Sequence, residues 1–392
     1  MKRHTLLLAN LLLLFFPLTA QFGQLSPAAE LHILTADPGA PLYSAFGHCA
    51  FRIVDENARF DRIYNYGSFD FNTPGFYQKF IQGKLPYFLA AESAPSFVRT
   101  YAGEGRAVQT QVLDLSPEDV QKVYVFLENN RLPENKFYPY DFFFDNCATR
   151  ERDVLTDVLG ENLDWNPWPE DSLGSLRDLL DIYLAERPWE DFGIDLVLGL
   201  PADRVADQQL SMFLPDYLYH SVARARIKKG GAWRPLVRNT ETWVKPQQRF
   251  ESESPTLTPK LVFWGLFVLT LAFSILVPAR KPAARAFDFV FFLIVGLLGV
   301  LMLLFWTATN HQATYSNLNL LWAFPTYLVF AIQRLRRRNK GQRLHAQWAL
   351  VATLIGALAY FFFPQPYNAA TIPLILTLVV RLISVVAGTL DD

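Results

Sequence analysis

The chain has 392 residues, of which 51% are hydrophobic and 15% are aromatic, so it is more apolar than an ordinary soluble domain. Its formal net charge is −1, and its basic residues do not cluster into the stripe that binds nucleic acid, which excludes a nucleic-acid partner. Its two cysteines, Cys49 and Cys147, are too few for a disulfide-rich scaffold. We predict neither a cofactor nor a metal ion.

The first 20 residues have the pattern of a secretory signal peptide. Lys2 and Arg3 precede an apolar run at residues 6–18, and Ala20 offers a small residue at which cleavage can follow. We predict cleavage after Ala20, with an uncleaved first membrane anchor as the alternative. In both cases the residues that follow are exported.

Residues 21–255 mix strand and helix patterns, which predicts an α+β domain in the periplasm. Residues 29–34 and 50–54 have the composition of short strands. A helix is predicted to begin after Ser116, because Pro117 suits the first helical position and an acidic residue occupies the third.

Cys147 is the candidate nucleophile of this domain. Asp145 or Asn146 can cap a helix that runs to Gly160, which places the thiol in the first helical turn. Backbone N–H groups and the helix dipole stabilise a thiolate there, and the thiolate is the reactive form. The aromatic run at residues 138–144 is interpreted either as the wall of a lipid-accepting pocket or as core.

His48 is the candidate base, because it lies in a turn-like segment of small residues. His32 in an apolar strand and His220 near the end of the domain are weaker candidates. Neighbouring residues of a strand point to opposite faces, so we expect Cys49 to be buried in the core. A disulfide between Cys49 and Cys147 is the structural alternative to a catalytic dyad.

Residues 256–392 are predicted to form an all-α bundle of about five transmembrane helices, since a spanning helix requires about 20 mostly apolar residues. Only 3 of the 37 acidic residues but 11 of the 36 basic residues follow residue 255. The third span is the weakest, because Pro325 interrupts it. The candidate spans lie near residues 261–277, 287–306, 318–332, 346–363 and 372–390.

The basic residues of this bundle lie in alternate connections, which orients it in the membrane. The connection that contains Arg280 and the one that contains Arg337 are predicted to be cytoplasmic. The connections at residues 307–316 and 364–370 contain no Lys or Arg. They are predicted to lie outside, with Asn310, on the same side as the α+β domain at residues 21–255, which we call the front domain.

Two polar features of the bundle have alternative interpretations. Arg381 falls inside the last span, where we favour snorkelling towards the headgroups over a functional role. His311, Asn317 and Asn319 lie at the outer interface, either as an ordinary polar loop or as part of a functional site.

The order of these motifs resembles that of known enzymes. A Gly-His turn that enters a strand, followed about a hundred residues later by Asn-Cys at a helix start, resembles the circularly permuted papain-like enzymes of the lecithin:retinol acyltransferase and NlpC/P60 group. Over nearly its whole length the chain resembles more closely the lipoprotein N-acyltransferase family of Bacteroidota, called Lnb. The motifs that carry this resemblance are Ser44-x-Phe46-Gly47-His48 with Arg52, Tyr64-Asn65-Tyr66-Gly67, Asp145-Asn146-Cys147-Ala148-Thr149, Phe213-Leu214-Pro215, and His311 with Asn317-x-Asn319-Leu320-Leu321-Trp322.

The resemblance implies roles for individual residues. Cys147 would be the nucleophile and His48 the general base, with Asn65 or Tyr66 as the candidate orienting residue. Substrate contacts are expected from Ser44, Tyr66, Asn146 and His311.

The activity that the resemblance implies is acyl transfer at the inner membrane. A phospholipid would donate a fatty acyl chain, through a thioester, to the α-amine of the N-terminal diacylglyceryl-cysteine of a lipoprotein. The alternatives are a membrane-anchored cysteine amidase or peptidase that acts on cell-wall peptides, and a scaffold in which Cys147 is structural. Five spans favour the lipid substrate, because one helix would suffice as an anchor.

Overall fold

The computed structural model describes residues 22–168, 173–245, 255–336, 340–359 and 361–388. The expected signal peptide at residues 1–20 lies outside this part of the chain, as does Arg337. Residues 246–254, next to the predicted domain boundary, lie outside it as well.

A seven-stranded antiparallel sheet forms the scaffold of the front domain. The strands are β1 Glu30–Ala36, β2 His48–Asp55, β3 Phe60–Ser68, β4 Pro86–Ser93, β5 Val108–Leu113, β6 Phe137–Pro139, β7 Leu163–Asp164, β8 Arg226–Lys229, β9 Ala232–Pro235 and β10 Val237–Val244. The large sheet has the order β10-β5-β1-β2-β3-β4-β6, and β7, β8 and β9 form a second, three-stranded sheet. The two predicted strands are confirmed as β1 and β2.

Eight α-helices accompany these strands within the described residues of the front domain. They are α1 Phe76–Ile81, α2 Ala94–Gly103, α3 Pro117–Asn130, α4 Cys147–Leu159, α5 Leu176–Leu184, α6 Pro188–Val197, α7 Gln208–Ser211 and α8 Pro215–Arg224. The predicted cap of α3 is confirmed, since the Ser116 side chain accepts the N–H of Asp119 at 3.2 Å and Pro117 occupies the first turn. The domain is therefore mixed α and β, and its papain-like permutation stays a prediction.

The central strands are buried on both faces of the sheet. On one face, Phe51 packs in the same core cluster as Val123 of α3 and Leu155 of α4. On the other face, Ala50 clusters with Phe97 of α2. Because the side chains of a strand alternate between faces, this two-sided burial explains why β2 is apolar at successive positions.

The residues after the front domain, from position 256 onwards, form what we call the rear unit. It consists of five helices within its described residues. They are α9 Pro259–Leu276, α10 Pro282–Ala308, α11 Tyr327–Leu335, α12 Lys340–Ala359 and α13 Thr371–Ala387. By length and composition, α9 and α10 could each cross a membrane, and α13 is a shorter apolar helix. The third predicted span is wrong as one continuous helix, because a 3-10 turn at Leu318–Leu321 and an irregular segment around Pro325 precede α11.

Arg381 does not snorkel, and our preference for that interpretation is wrong. Its side chain is completely buried, and its Nε donates to Oδ1 of Asp288 at 2.7 Å. Arg334 donates from Nε to Oδ2 of the same carboxylate at 2.9 Å. A buried charge needs a partner of opposite sign, so this Arg334–Asp288–Arg381 triad ties α10, α11 and α13 together.

The outer connections of the rear unit form its joint with the front domain. Asn317 donates to the Leu196 carbonyl at 2.8 Å, and Asn319 donates to the Asp195 carbonyl at 3.1 Å. In the second connection, Gln365 donates to the carbonyl of Leu198, which follows α6, at 3.2 Å. Both connections without basic residues therefore lie at the end of the bundle that faces the front domain, as predicted. Asn317 and Asn319 are structural contacts of this joint.

Cysteine labelling tests the orientation of the bundle. We expect Tyr315→Cys, in a Cys147→Ser background, to react with a membrane-impermeant maleimide from the periplasmic side, because the outer connection is exposed there. Arg280→Cys in the same background serves as the opposite control and should react only after permeabilisation. Labelling of residue 280 in intact cells would contradict the orientation.

Substitution of Asp288 tests the buried triad. Asp288→Asn leaves two buried guanidinium groups without a carboxylate, which should lower the free energy of unfolding by about 3 to 5 kcal/mol. Thermal unfolding in detergent micelles measures this change. Glu118→Gln, which breaks an exposed pair with Lys122, is the matched control and should cost less than about 1 kcal/mol. Equal stability of both variants would mean that the triad contributes little.

Candidate active site

The N-terminus of α4 is fixed by a reciprocal cap. Oδ1 of Asn146 accepts the N–H of Thr149 at 2.9 Å, and the Thr149 hydroxyl accepts the N–H of Asn146 at 2.8 Å. Cys147 is therefore the first helical residue, as the sequence predicts, and its sulfur lies in the field of the helix N-terminus.

The side chain of Asn146 is fully occupied by the protein. Its Nδ2 donates one hydrogen to the Phe142 carbonyl at 2.8 Å and the other to the Phe213 carbonyl at 2.7 Å. An amide has only two such hydrogens, so this group has none left for a substrate. We therefore correct the substrate-binding role that we expected of Asn146. It borders the cavity beside Cys147, but its hydrogen bonds serve to position Cys147.

Two glycines bring His48 next to Cys147. Gly47 precedes β2 with a φ of +80°, which turns the chain into the strand. Gly67 has a φ of +84°, and a Cβ there would lie 3.8 Å from Cβ of Cys147 and 4.0 Å from Cε1 of His48. The two residues of the predicted dyad thus flank one glycine.

Asn65 is the residue that contacts the far side of His48. Nε2 of His48 lies 2.6 Å from Oδ1 of Asn65, whose Nδ2 donates to Glu92 at 3.4 Å. The bond to Glu92 orients the amide so that its oxygen faces the imidazole. Nε2 then carries the hydrogen, which leaves Nδ1 as the basic nitrogen for the thiol.

Tyr66 does not reach this site, so its expected contacts with His48 and with substrate are not made. It is the neighbour of Asn65 on β3 and therefore points to the opposite face of the sheet. Its hydroxyl donates to Asn130 at 2.6 Å, and only 1% of the residue is exposed. The difference between the two candidates follows from strand alternation alone.

The electrostatic surroundings favour a thiolate at Cys147. A hydrogen bond from Cys49, together with the charge and hydrogen bond of His48, holds the pKa of the Cys147 thiol well below its ordinary value, although burial opposes this. Burial lowers the pKa of His48, but Cys147 and the hydrogen bond with Asn65 raise it above its ordinary value overall. The pair is therefore stabilised as thiolate and imidazolium.

Cys49 is buried in the core, as predicted, but its thiol also reaches the site. Both cysteines are free, so the alternative of a disulfide is not realised. Burial, together with its hydrogen bond to Cys147, raises the pKa of Cys49 well above its ordinary value. The protonated form of Cys49 is therefore favoured beside the nucleophile. Strand alternation did not reveal this contact, because Cys147 lies over the beginning of β2 and touches both of its first residues.

Glu151 is an acidic neighbour of Cys147 that the sequence analysis did not identify. It is completely buried one helical turn after Cys147. Burial raises the pKa of Glu151 well above its ordinary value, and the negative charge of Cys147 raises it further. The neutral form of the carboxyl group is therefore favoured beside the thiolate. Its spacing of four residues from the nucleophile on a predicted helix was the available signal.

A cavity of about 390 Å³ contains Cys147 and His48 on its wall. Ser44 lines it, and its hydroxyl donates to the Pro41 carbonyl at 2.9 Å. Its expected contact with substrate stays a prediction. The aromatic run divides between the two roles that we considered: Tyr140 and Phe142 face the cavity, whereas Tyr138 and Phe143 belong to the core. The other aromatic residues of the lining are Tyr43, Phe46, Phe69, Phe80, Tyr87, Tyr101 and Phe213.

His311 contacts α1 and does not line the cavity. Its Nε2 lies 3.2 Å from the Phe80 carbonyl and 3.1 Å from the Ile81 carbonyl, and the N–H of Asn310 donates to the Gln82 carbonyl at 2.9 Å. The expected substrate contact of His311 is therefore indirect. It holds the helix that contributes Phe80 to the cavity wall.

One acidic cluster in the described part of the chain has ligand atoms close enough to hold a metal ion. The carboxylates of Asp181, Asp191 and Asp195 have oxygens within 4.8 Å of one another. Asn368 donates to two of these carboxylates, and Arg177 pairs with Asp195 at 2.6 Å. These contacts place the cluster in the joint between the two units.

Two family models match the chain. The Lnb N-terminal periplasmic domain matches residues 23–180, and the Lnb transmembrane domain matches residues 250–391. Together they cover about three quarters of the chain, in the order that the sequence predicts. No curated protein and no solved structure matches it.

The pH dependence of alkylation tests the thiolate–imidazolium pair. The rate at which iodoacetamide modifies Cys147 should rise through a midpoint well below the ordinary pKa of a thiol, because only the thiolate reacts. His48→Asn removes the positive partner, so the midpoint should move to higher pH. Mass spectrometry of the modified peptide, over roughly pH 5 to 10, measures both profiles.

The matched control for this experiment is His220→Asn, because His220 is exposed on α8 and does not line the cavity. The pH profile of this variant should coincide with that of the wild-type protein. An unchanged midpoint in His48→Asn would refute the pairing of His48 with Cys147.

Proposed function

Because the chain belongs to the Lnb family, with a periplasmic domain ahead of a transmembrane domain, we propose that it is a lipoprotein N-acyltransferase of the inner membrane. The acyl donor is a membrane phospholipid. The acceptor is the α-amine of the N-terminal diacylglyceryl-cysteine of a lipoprotein. Cys147 carries the acyl chain between them as a thioester.

The observation that carries this proposal is the contact between the cavity wall and the rear unit. Phe80 lines the cavity, and its carbonyl meets His311, which follows the long apolar helix α10 by a few residues. Leu42, Tyr43 and Phe80 add exposed apolar surface to the lining. This contact supports a substrate whose acyl chains stay in the outer leaflet, because a site held beside the transmembrane domain supplies proximity.

The first half-reaction forms the acyl-enzyme. The Cys147 thiolate attacks the ester carbonyl of the donor, and the carbonyl oxygen takes the negative charge. The carbon–oxygen bond of the ester then breaks. The leaving lysophospholipid oxygen takes a proton from the His48 imidazolium. The products are a thioester on Cys147, a neutral His48 and a lysophospholipid.

The second half-reaction transfers the acyl chain to the acceptor. The neutral α-amine attacks the thioester carbonyl and loses a proton to Nδ1 of His48. The carbon–sulfur bond breaks, so that the amide leaves with the acyl chain. Cys147 returns as a thiolate beside the imidazolium. Asn65 keeps the ring in the orientation that both steps require.

A peptidase or amidase remains the competing function, since a Cys–His–Asn arrangement also serves peptide hydrolysis. The aromatic lining and its contact with the rear unit favour a lipid. A cell-wall peptide would have no need of a wall that reaches the transmembrane domain.

The mass of the acyl-enzyme tests the proposal. Purified protein incubated with phospholipid but without acceptor should gain the mass of one fatty acyl chain, which neutral hydroxylamine removes, because the intermediate is a thioester. Cys147→Ala should gain nothing, and His48→Ala should form the adduct slowly or not at all. A diacylglyceryl-cysteine peptide should discharge the chain onto its α-amine.

Cys49→Ala is the matched cysteine control. It should still form the adduct, because the acyl chain is bound to the sulfur of Cys147 and not to that of Cys49. A protein that never acquires an acyl chain, yet cleaves cell-wall peptides in a Cys147-dependent way, would replace the acyltransferase with the amidase.

A further inference from the structure

Arg106 is a buried cation on the wall of the catalytic cavity. It lies between α2 and β5, only 5% of it is exposed, and it lines the same cavity as His48 and Cys147. Its positive charge acts on His48 and opposes the rise in the pKa of that imidazole. The cavity therefore contains one nucleophile and one permanently charged guanidinium group.

The guanidinium group is held in place by three contacts. Nε donates to the Asp37 carbonyl at 2.6 Å, and Nη1 donates to Glu104 at 2.9 Å. The Tyr101 ring lies beneath it, with its centroid 4.7 Å from the guanidinium carbon. A group fixed in this way loses little entropy when it binds a ligand.

The third nitrogen of Arg106 has no acceptor. Nη2 is buried and makes no hydrogen bond to any of the residues that the structure describes. A buried charged donor without an acceptor is costly, and such groups normally have a partner. Arg106 lines the cavity, so a rotation of the guanidinium group that turns Nη2 towards the cavity lets an anionic group of the bound substrate supply the acceptor.

We propose that Arg106 binds the phosphate diester of the acyl donor, with Nη2 donating to a phosphate oxygen. This inference rests on the proposed function. In a glycerophospholipid the phosphate and the acyl esters share one three-carbon glycerol unit, so a phosphate held by Arg106 places an ester within reach of Cys147. Arginine suits phosphate because its planar donors match the oxygen geometry.

This site makes the enzyme selective for donors that carry a phosphate. A neutral diacylglycerol offers the same acyl esters but leaves Nη2 without an acceptor. Sites built to hydrogen-bond a substrate group discriminate strongly against the analogue that lacks it. Phosphatidylglycerol should therefore acylate Cys147 faster than a diacylglycerol with identical acyl chains.

Thioester formation from these two donors tests the role of Arg106. In mixed micelles, Arg106→Gln should slow the reaction with phosphatidylglycerol by about 10- to 100-fold, the range for one hydrogen bond to a charged group. The reaction with diacylglycerol should change by less than about 3-fold. Arg106→Lys keeps the charge but lacks Nη2, and should show a smaller loss with the phospholipid only.

Arg52→Gln is the matched control, because Arg52 pairs with Asp61 at 2.8 Å and does not line the cavity. This variant should leave the rate of thioester formation from both donors unchanged. An equal loss with both donors in Arg106→Gln and Arg106→Lys would assign Arg106 to the structural support of Asp37 and Tyr101, and would overturn the proposal. So would wild-type protein that uses both donors equally.

Failure of the proposed function gives a different result. Wild-type protein that forms no thioester with any donor would overturn both proposals, whereas a wild-type thioester without donor preference overturns only the role of Arg106. If Arg106→Gln does not fold, which alkylation of Cys147 would detect, the donor ratio of Arg106→Lys decides the question.

Discussion

The geometry of the site depends on one side chain, the buried amide of Asn146. Its oxygen completes the cap of α4, and its two hydrogens hold the carbonyls of Phe142 and Phe213. The segments that contain Phe142 and Phe213 are thereby fixed relative to Cys147, and both supply aromatic walls of the cavity. The nucleophile and the surface that would receive a substrate are consequently positioned by the same set of hydrogen bonds, so neither can shift without the other.

In the part of the chain that the structure describes, the front domain meets the rear unit at several separate places. One contact joins α1 to the segment that contains His311, and another joins α6 to Asn317 and Asn319. A single contact would act as a hinge, whereas several separate contacts fix an orientation. The cavity is therefore held at a defined angle to the transmembrane domain. This rigidity accords with a reaction in which neither lipid substrate has to leave the membrane.

Local signals in the sequence were sufficient where the determining contacts are local. The cap of α3 and the start of α4 depend on residues three positions apart, and both were predicted correctly. Long-range partners escaped prediction: Arg381 finds Asp288 across 93 residues, and Asn146 finds the Phe213 carbonyl across 67. A choice between Asn65 and Tyr66 required the face of β3 to be known. Arg106 gave no signal, because the cavity around it is assembled from distant segments.

The triad of Arg334, Asp288 and Arg381 has a consequence for biogenesis. A polytopic chain is inserted from its N-terminus, so the acid of α10 enters the bilayer before either of its bases. Its two oxygens are then taken in turn, Oδ2 by Arg334 and Oδ1 by Arg381. The free-energy cost of transferring the Arg381 guanidinium group from water into the membrane is low only because the Asp288 carboxylate is already there to pair with it. The ion network is therefore complete only when α13 packs against α10, and a bundle without α13 keeps Oδ1 of Asp288 unpaired in its core.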